Sequence, residues 1–294
     1  MNYFKIGVIH VNVQLMTDGS SDLPSYLKEK LQIKVVPLYV TFGNEQFNDA
    51  SLDLATFYQK LKKSEEFPQS AAPSPHEFYQ AYKEVDPNSP IIMLSLSSGI
   101  SSTYSHALMG KNMLLEEQPD RKIEVIDSKT ASSGLILLLH EAGRRLEEGY
   151  QFEQLVDHLY DRIEHTATLF VLKTLENLVR GGRLDKVKGA IAKTLSIKLL
   201  MRASDEGTIE VTEKVRGNKK SIRRFVEQIG EYTRSVEDKV IAITHCNDES
   251  RASSVLEEIK KASPFKDSIL TEMGPTISTH AGEGGLVIAF FKDK

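Results

Sequence analysis

The stretch Ile91–Leu108, "IIMLSLSSGISSTYSHAL", decides how the first half of the chain is read. It opens as an apolar run and closes on hydroxyls: Ser95, Ser97, Ser98, Ser101, Ser102, Thr103 and Ser105 fall within eleven positions. Ile91–Leu96 reads as a buried strand, and Thr103–Glu117 as a helix. A strand that turns through small polar residues into a helix is one unit of a parallel α/β sheet.

Working outward, the same unit recurs. "VNVQLM" reads as a strand, followed by the turn "TDGSSDLP" and a short helix from Pro24 to Leu31. "IKVVPLYVTF" is extended, with Pro37 marking an edge or a bend. "GNEQFND" reads as a hairpin or loop, and Asp53–Lys63 as a helix. At "SPHEFYQAYKEV", Ser74 caps a helix, Pro75 takes its first position and Glu77 closes a capping box. Strand Ile123–Asp127 and helix Ser132–Glu148 follow. These repeats predict a parallel sheet with helices on both faces, over residues 1–160.

The remainder, residues 161–294, predicts a smaller α+β domain. "HTATLFVL" reads as a strand and "TLENLVRGGRL" as a helix ending on Gly181–Gly182. "SIKLLMRASDEGTIEVTEKVRG" alternates around an Asp-Glu-Gly turn, the pattern of an antiparallel hairpin. A long amphipathic helix over Lys219–Val236, strand Lys239–His245, helix Ser250–Lys260 and strands Ser268–Met273 and Leu286–Phe291 complete it.

Composition limits the function classes. The 294 residues suit two domains or one large α/β domain; 40% are apolar and 27% charged, as in an ordinary globular chain. Lys and Arg number 37 against 41 Asp and Glu, so no basic excess points to nucleic acid or an anionic membrane. A single cysteine, Cys246, excludes a disulfide within the chain and reads as a packing residue at a strand end. No stretch reaches the ~20 apolar residues of a membrane span. "MNYFKIGVIHVNVQL" reads as a first strand rather than a signal peptide, and the cytoplasm is the default location.

Candidate site residues come from loops. Ligands of open parallel sheets bind beyond the carboxyl ends of strands, and a helix N-terminus favours an anion. Ser97 and Ser98 therefore suit a carboxylate or phosphate, or form a solvated N-cap. In "QSAAPSP", Ser70 is freer than the capping Ser74. In "TDGSSDLP", Asp18, Ser20 and Ser21 suit a pocket mouth, or, the favoured reading, Asp18 and Ser21 close the turn and Asp22 caps the helix at Pro24. Arg180 and Arg183 of "RGGRL" suit a phosphate or an acidic partner, or complement a helix C-terminus. His280 lies in "GPTISTHAGEGGLVIAFF", read as a Gly-rich turn between strand-like runs, where small neighbours leave room for a ligand, although a lone histidine is more often structural than functional. No phosphate-binding P-loop, dinucleotide fingerprint, nucleophile elbow or metal motif occurs. Binding is favoured over chemistry, with no cofactor and no metal.

"TDGSSDLP", "SAAPSPHEFYQAY", "LSLSSGISSTY", "VIDSKTASSG", "LENLVRGGRL" and "GPTISTHAGEGGLVIAF" together resemble the DegV family in order and spacing, from about Val11 to Phe291. The resemblance implies a Rossmann-like amino-terminal domain, a smaller α+β carboxy-terminal domain and a long-chain fatty acid with its tail buried between or within these layers. It implies that the chain is not itself an enzyme. It would be the lipid-binding subunit of a fatty acid kinase system in phospholipid metabolism, presenting the carboxylate to a separate ATP-binding kinase subunit for acyl phosphate formation. Carried over by position, Ser97 or Ser98, Ser70 and His280 resemble the carboxylate-holding residues. Arg180 and Arg183 resemble the partner- or phosphate-facing arginines. The chain departs from the family at Ser70-Ala71-Ala72-Pro73, where Thr-Ser-Gln-Pro is common, and its first ten residues extend beyond the usual start. A lipid-sensing regulator and a stand-alone serine hydrolase or acyltransferase remain alternatives.

Overall fold

The computed structural model describes residues 13–183, 187–188 and 197–293. The strand expected at the extreme N-terminus falls outside them up to residue 12, as does the end of "TLENLVRGGRL".

In chain order the elements are β1 (Gln14–Asp18), α1 (Ser25–Lys30), β2 (Lys34–Val36), β3 (Tyr39–Phe42), β4 (Glu45–Asn48), α2 (Leu54–Lys63), β5 (Gln69–Ala71) and α3 (Pro75–Lys83). Then come β6 (Ile91–Ser95), α4 (Thr103–Glu117), β7 (Ile123–Asp127), α5 (Ser133–Glu147), α6 (Phe152–Glu164), β8 (Thr166–Val171), α7 (Glu176–Arg180) and β9 (Val187–Lys188). The chain continues with β10 (Ile197–Ala203), β11 (Ile209–Arg216), α8 (Asn218–Glu227), α9 (Ile229–Tyr232), β12 (Val240–His245), α10 (Glu249–Ala262), β13 (Asp267–Glu272), α11 (Pro275–Ala281) and β14 (Leu286–Phe291).

Three sheets result. A parallel four-stranded sheet runs β2-β1-β6-β7, a mixed seven-stranded sheet runs β13-β12-β14-β8-β10-β11-β9, and β4-β3-β5 form a small antiparallel one. This is the α/β architecture expected, with a parallel sheet followed by a separate mixed sheet. The strand order reverses between β1 and β6, the kind of switch point beside which open sheets bind ligands.

Helix α5 explains how the two larger sheets are joined. Its sequence, "SGLILLLHEAGRRLE", is buried without a break from Ser133 to Leu139. A helix apolar on all sides must be covered on all sides. One core accordingly contains Leu15, Ile92 and Leu94 of the parallel sheet, Leu135–Leu139 of α5, and Ala242, Ile269 and Ala289 of the mixed sheet. The outer face of the parallel sheet packs on α3 and α4 through Phe78, Tyr82 and Leu114, and that of the mixed sheet on α8 and α10 through Phe225 and Val255.

Most expected elements lie where their patterns place them; the capping box at Ser74 and Glu77 is formed. Three readings are corrected. The helix over Lys219–Val236 breaks at Gln228 into α8 and α9. Asp22 does not cap α1, whose N-cap is Pro24; the Asp22 carboxylate turns instead toward the second half of the chain. "PTISTHA" is the helix α11, not a turn. Its β-branched and hydroxyl residues read as non-helical, but Pro275 occupies the first position and Thr279 Oγ1 donates back to the Pro275 carbonyl, satisfying the hydroxyl within the helix. Helix α6 is an element beyond those expected from the sequence, and position 160 falls within it.

Candidate functional site

A cavity of about 110 Å³ lies between the mixed sheet, helix α11 and the loops that follow β6 and β7. Its apolar wall includes Ile100, Phe170, Leu172, Leu178, Ile209 and Val287. A second cavity, about 80 Å³, is lined by Ser70, Ser101 and Arg183. The two share Ile100, Leu178, Ile209, Ile277 and His280, so they meet across one wall. A mostly apolar wall with a few placed polar groups is the character of a small-molecule site.

The polar end is assembled from distant parts of the chain. Ser70 sits on β5, held against β3 in register with Val40. His280 occupies the last turn of α11. Ser70 Oγ lies 2.8 Å from His280 Nε2. The other ring nitrogen, Nδ1, is buried with no partner among the described residues. A proton there would be an unsatisfied buried donor, so the neutral ring carries its proton on Nε2 and donates it to Ser70. The Ser70 hydroxyl proton is then left to donate to a third group. Burial, with Arg183 nearby, lowers the His280 pKa to about 4, so the ring is neutral at pH 7.

Neighbouring loops hold α11 in place. Asn177 Nδ2 donates to the Thr279 carbonyl at 2.9 Å. Gly181 packs so closely that a Cβ there would stand 2.5 Å from His280 Nδ1. The helix start is clamped from the first half of the chain: Asp22 Oδ1 accepts from Gly274 N at 2.7 Å, and Asp49 Oδ2 accepts from Thr276 Oγ1 at 2.8 Å. Burial raises the pKa of Asp22 to about 8 and that of Asp49 to about 7, and repulsion among Asp18, Asp22 and Asp49 adds to it. Asp18, its pKa also raised by burial, ties β1 to β6 across the switch point by accepting from Leu96 N at 2.8 Å and Ser95 Oγ at 3.2 Å.

The structure thus brings Ser70, His280 and Arg183 together and places the other candidates elsewhere. Ser97 Oγ donates to the Gly207 carbonyl at 2.8 Å and accepts from Gly99 N, tying the β6 loop to the β10–β11 turn. Ser98 Oγ donates to Asp127 at 2.5 Å. Arg183 Nη1 donates to the Gly181 carbonyl at 2.8 Å and lines the smaller cavity. Arg180 is exposed, its guanidinium 4.6 Å from the Phe67 ring centre. Ser101, Thr276 and Ile277 also line the site and are not among the candidates read from the sequence. Ser101 stands in the hydroxyl run itself; Thr276 and Ile277 become legible only once α11 is known to be a helix. Among the described residues no cluster of side chains could hold a metal ion, and no helix is long and apolar enough to cross a membrane.

Comparison with known proteins places this geometry. A DegV domain-containing protein of Clostridium perfringens is 30% identical over 282 residues, 96% of this chain and 99% of the relative. A DegV family crystal structure from Ruminococcus gnavus, refined with vaccenic acid, superposes with a TM-score of 0.88 at 29% identity, covering 95% of this chain and 99% of that one. The Streptococcus pneumoniae fatty acid kinase B3 protein, loaded with linoleic acid, superposes with a TM-score of 0.84 at 28% identity over 95% and 99% of the two chains. The family model described as "Uncharacterised protein, DegV family" matches residues 12–293, and with it the chain belongs to the DegV family.

Proposed function

We propose that this chain binds a long-chain fatty acid, with the tail in the larger cavity and the carboxylate at Ser70 and His280. The observation that carries this reading is an apolar cavity whose wall ends on a neutral histidine hydrogen-bonded to a serine, with one arginine beside them. Each buried methylene contributes about 0.8 kcal/mol, so the tail supplies the affinity. The head group must not be buried uncompensated. Ser70 O–H supplies a neutral donor and the Arg183 guanidinium an opposing charge. Ser97 and Ser98 contribute in this structure by fixing the Gly207 turn and Asp127; a direct bond from either to the carboxylate requires exchange of those partners on binding.

In this proposal the chain is a binding subunit, and a separate ATP-using kinase phosphorylates the carboxylate it presents. The likeness to the pneumococcal fatty acid kinase B3 protein supports that partner, with Arg180 and Arg183 as the basic groups on the presenting side. The unpartnered Nδ1 of His280 argues against a hydrolase, because no carboxylate among the described residues orients the ring as a general base.

The test is mass spectrometry of lipid released from the denatured protein, followed by addition of ATP and a cognate kinase. A stoichiometric long-chain fatty acid, converted to acyl phosphate only with the kinase present, is the expected result. A protein that is empty and takes up no added fatty acid would refute the reading.

A further inference from the structure

A crevice of about 370 Å³ lies on the outer face of the mixed sheet, between α8, α10 and the loop after β8. Lys173, Lys219, Arg251 and Glu258 supply its charges, and Ile222 and Val255 give it an apolar wall. None of its lining residues lines the two cavities around His280. The cations converge on the loop that follows α11. Arg251 Nη1 donates to the Gly284 carbonyl, and Lys173 packs so closely on Gly284 that a Cβ there would stand 2.5 Å from its Nζ. Lys198, on β10, reaches the same point by donating through Nζ to the Lys173 carbonyl. Burial lowers the pKa of Lys198 and of Arg251, and repulsion from Arg251 and Lys173 lowers that of Lys198 further. Lys219 stands in the first turn of α8, where the helix dipole disfavours a positive charge and no acidic residue offsets it.

Two carboxylates oppose these four cations. Asp248 lies 3.3 Å from Lys173 Nζ and also caps α10 by accepting from Arg251 N, and Glu258 lines the crevice. Lys198, Lys219 and Arg251 form no ion pair among the described residues. Two positive charges are therefore left without a partner, and like charges held this close repel.

We infer that this crevice binds the phosphate group of a soluble phosphate ester or polyphosphate. A phosphate group on an ester carries close to two negative charges at neutral pH, which matches the excess. Ammonium and guanidinium groups are strong donors to its oxygens. The Ile222 and Val255 wall accommodates the organic part of an ester. The site is separate from the proposed fatty acid site and does not depend on that reading.

The test is calorimetric titration of the full-length chain with pyrophosphate at low ionic strength. Binding at one site, weakened by added salt, is expected. Lys198→Gln and Lys219→Gln should each weaken it several-fold, and the double variant by about tenfold or more. Lys219 is exposed, so its variant guards against a change at half-buried Lys198 that disturbs folding. A control variant carrying Lys62→Gln and Lys63→Gln, two exposed lysines at the end of α2, should bind as the wild type does. No binding of pyrophosphate, or binding that the control weakens as much as the double variant, would overturn the site. Sedimentation with phosphatidylglycerol vesicles is the second arm. Vesicle binding that needs Lys198 and Lys219, with no binding of pyrophosphate, would overturn the soluble ligand and assign these cations to a lipid head group.

Discussion

Ser70 and His280, 210 positions apart in the chain, face one another with Oγ and Nε2 separated by 2.8 Å. The bond joins β5 of the first half to α11 of the second. It exists because Asp22 and Asp49 anchor the start of α11 and Asn177 its end. His280 lines the apolar cavity and both residues line the smaller one, so the proposed head-group site and the packing of the two halves share one set of contacts.

Loss of either partner should weaken fatty acid binding without unfolding the chain. A hydrogen bond to a charged group contributes about 1.5–3 kcal/mol, so Ser70→Ala and His280→Ala should each raise Kd roughly 10- to 100-fold. Because the two act as one unit, the double variant should lose less than the sum of the singles. Competition titration with a fluorescent fatty acid gives all three values.

Binding should also take up protons. His280 titrates at about 4 in the folded chain against an ordinary 6.5. A carboxylate placed beside it favours the charged ring and raises that value. Calorimetry between about pH 5 and about pH 6, in buffers of different ionisation enthalpy, should show net proton uptake by the wild type and not by His280→Gln. In the empty protein the sign is fixed by linkage. The unfolded chain gains its proton first as pH falls, so stability drops from about pH 6.5 toward about pH 4, by up to about 3 kcal/mol, and His280→Gln flattens that part of the curve.

Asp22 works in the opposite direction. Its carboxyl is pushed from 3.8 up to about 8, so the folded state holds a proton that the unfolded chain has released. Its contribution is fully present below pH 3.8 and is lost as pH rises through about 8. An asparagine side chain at this position mimics the protonated acid toward Gly274 and Ser132. The Asp22→Asn variant should therefore gain stability relative to wild type as pH rises from about 5 to about 9, read as the denaturant midpoint at each pH. A constant difference across that range would show that Asp22 titrates normally.

Gly207 is required twice over. Its φ is +73°, and a Cβ there would stand 2.1 Å from Ser97 Oγ. Gly207→Ala should cost on the order of 2 kcal/mol in denaturant unfolding, from backbone strain and from displacement of the Ser97 hydroxyl. Ser97→Ala in the same background should recover part of that loss, because it removes the colliding atom.

The local signals in the sequence are strong wherever one segment carries all its own information. Alternating strand and helix patterns mark the parallel sheet, and Ser74, Pro75 and Glu77 mark the start of α3. The Asp-Glu-Gly turn marks the β10–β11 hairpin. Helix α11 reads wrongly as a turn because its Ser and Thr hydroxyls satisfy themselves locally and so lose their usual meaning as breakers. The apolar run in α5 is plain in the sequence, but only two sheets packed on opposite sides explain why it is apolar all round.

The same division holds for the site. By itself the sequence determined the family, the α/β layout and a short set of residues from which Ser70, His280 and Arg183 come. The tertiary structure decided which hydroxyls remain free. Ser97 and Ser98 answer to Gly207 and Asp127, partners that their own segment does not reveal, whereas Ser70 meets His280 at the cavity wall. It also made a folding contact of Asp22, whose local role reads as a cap. The physical reason is common to all of them: a short polar side chain takes its role from the partner within about 3 Å, and for these residues that partner arrives from a distant part of the chain.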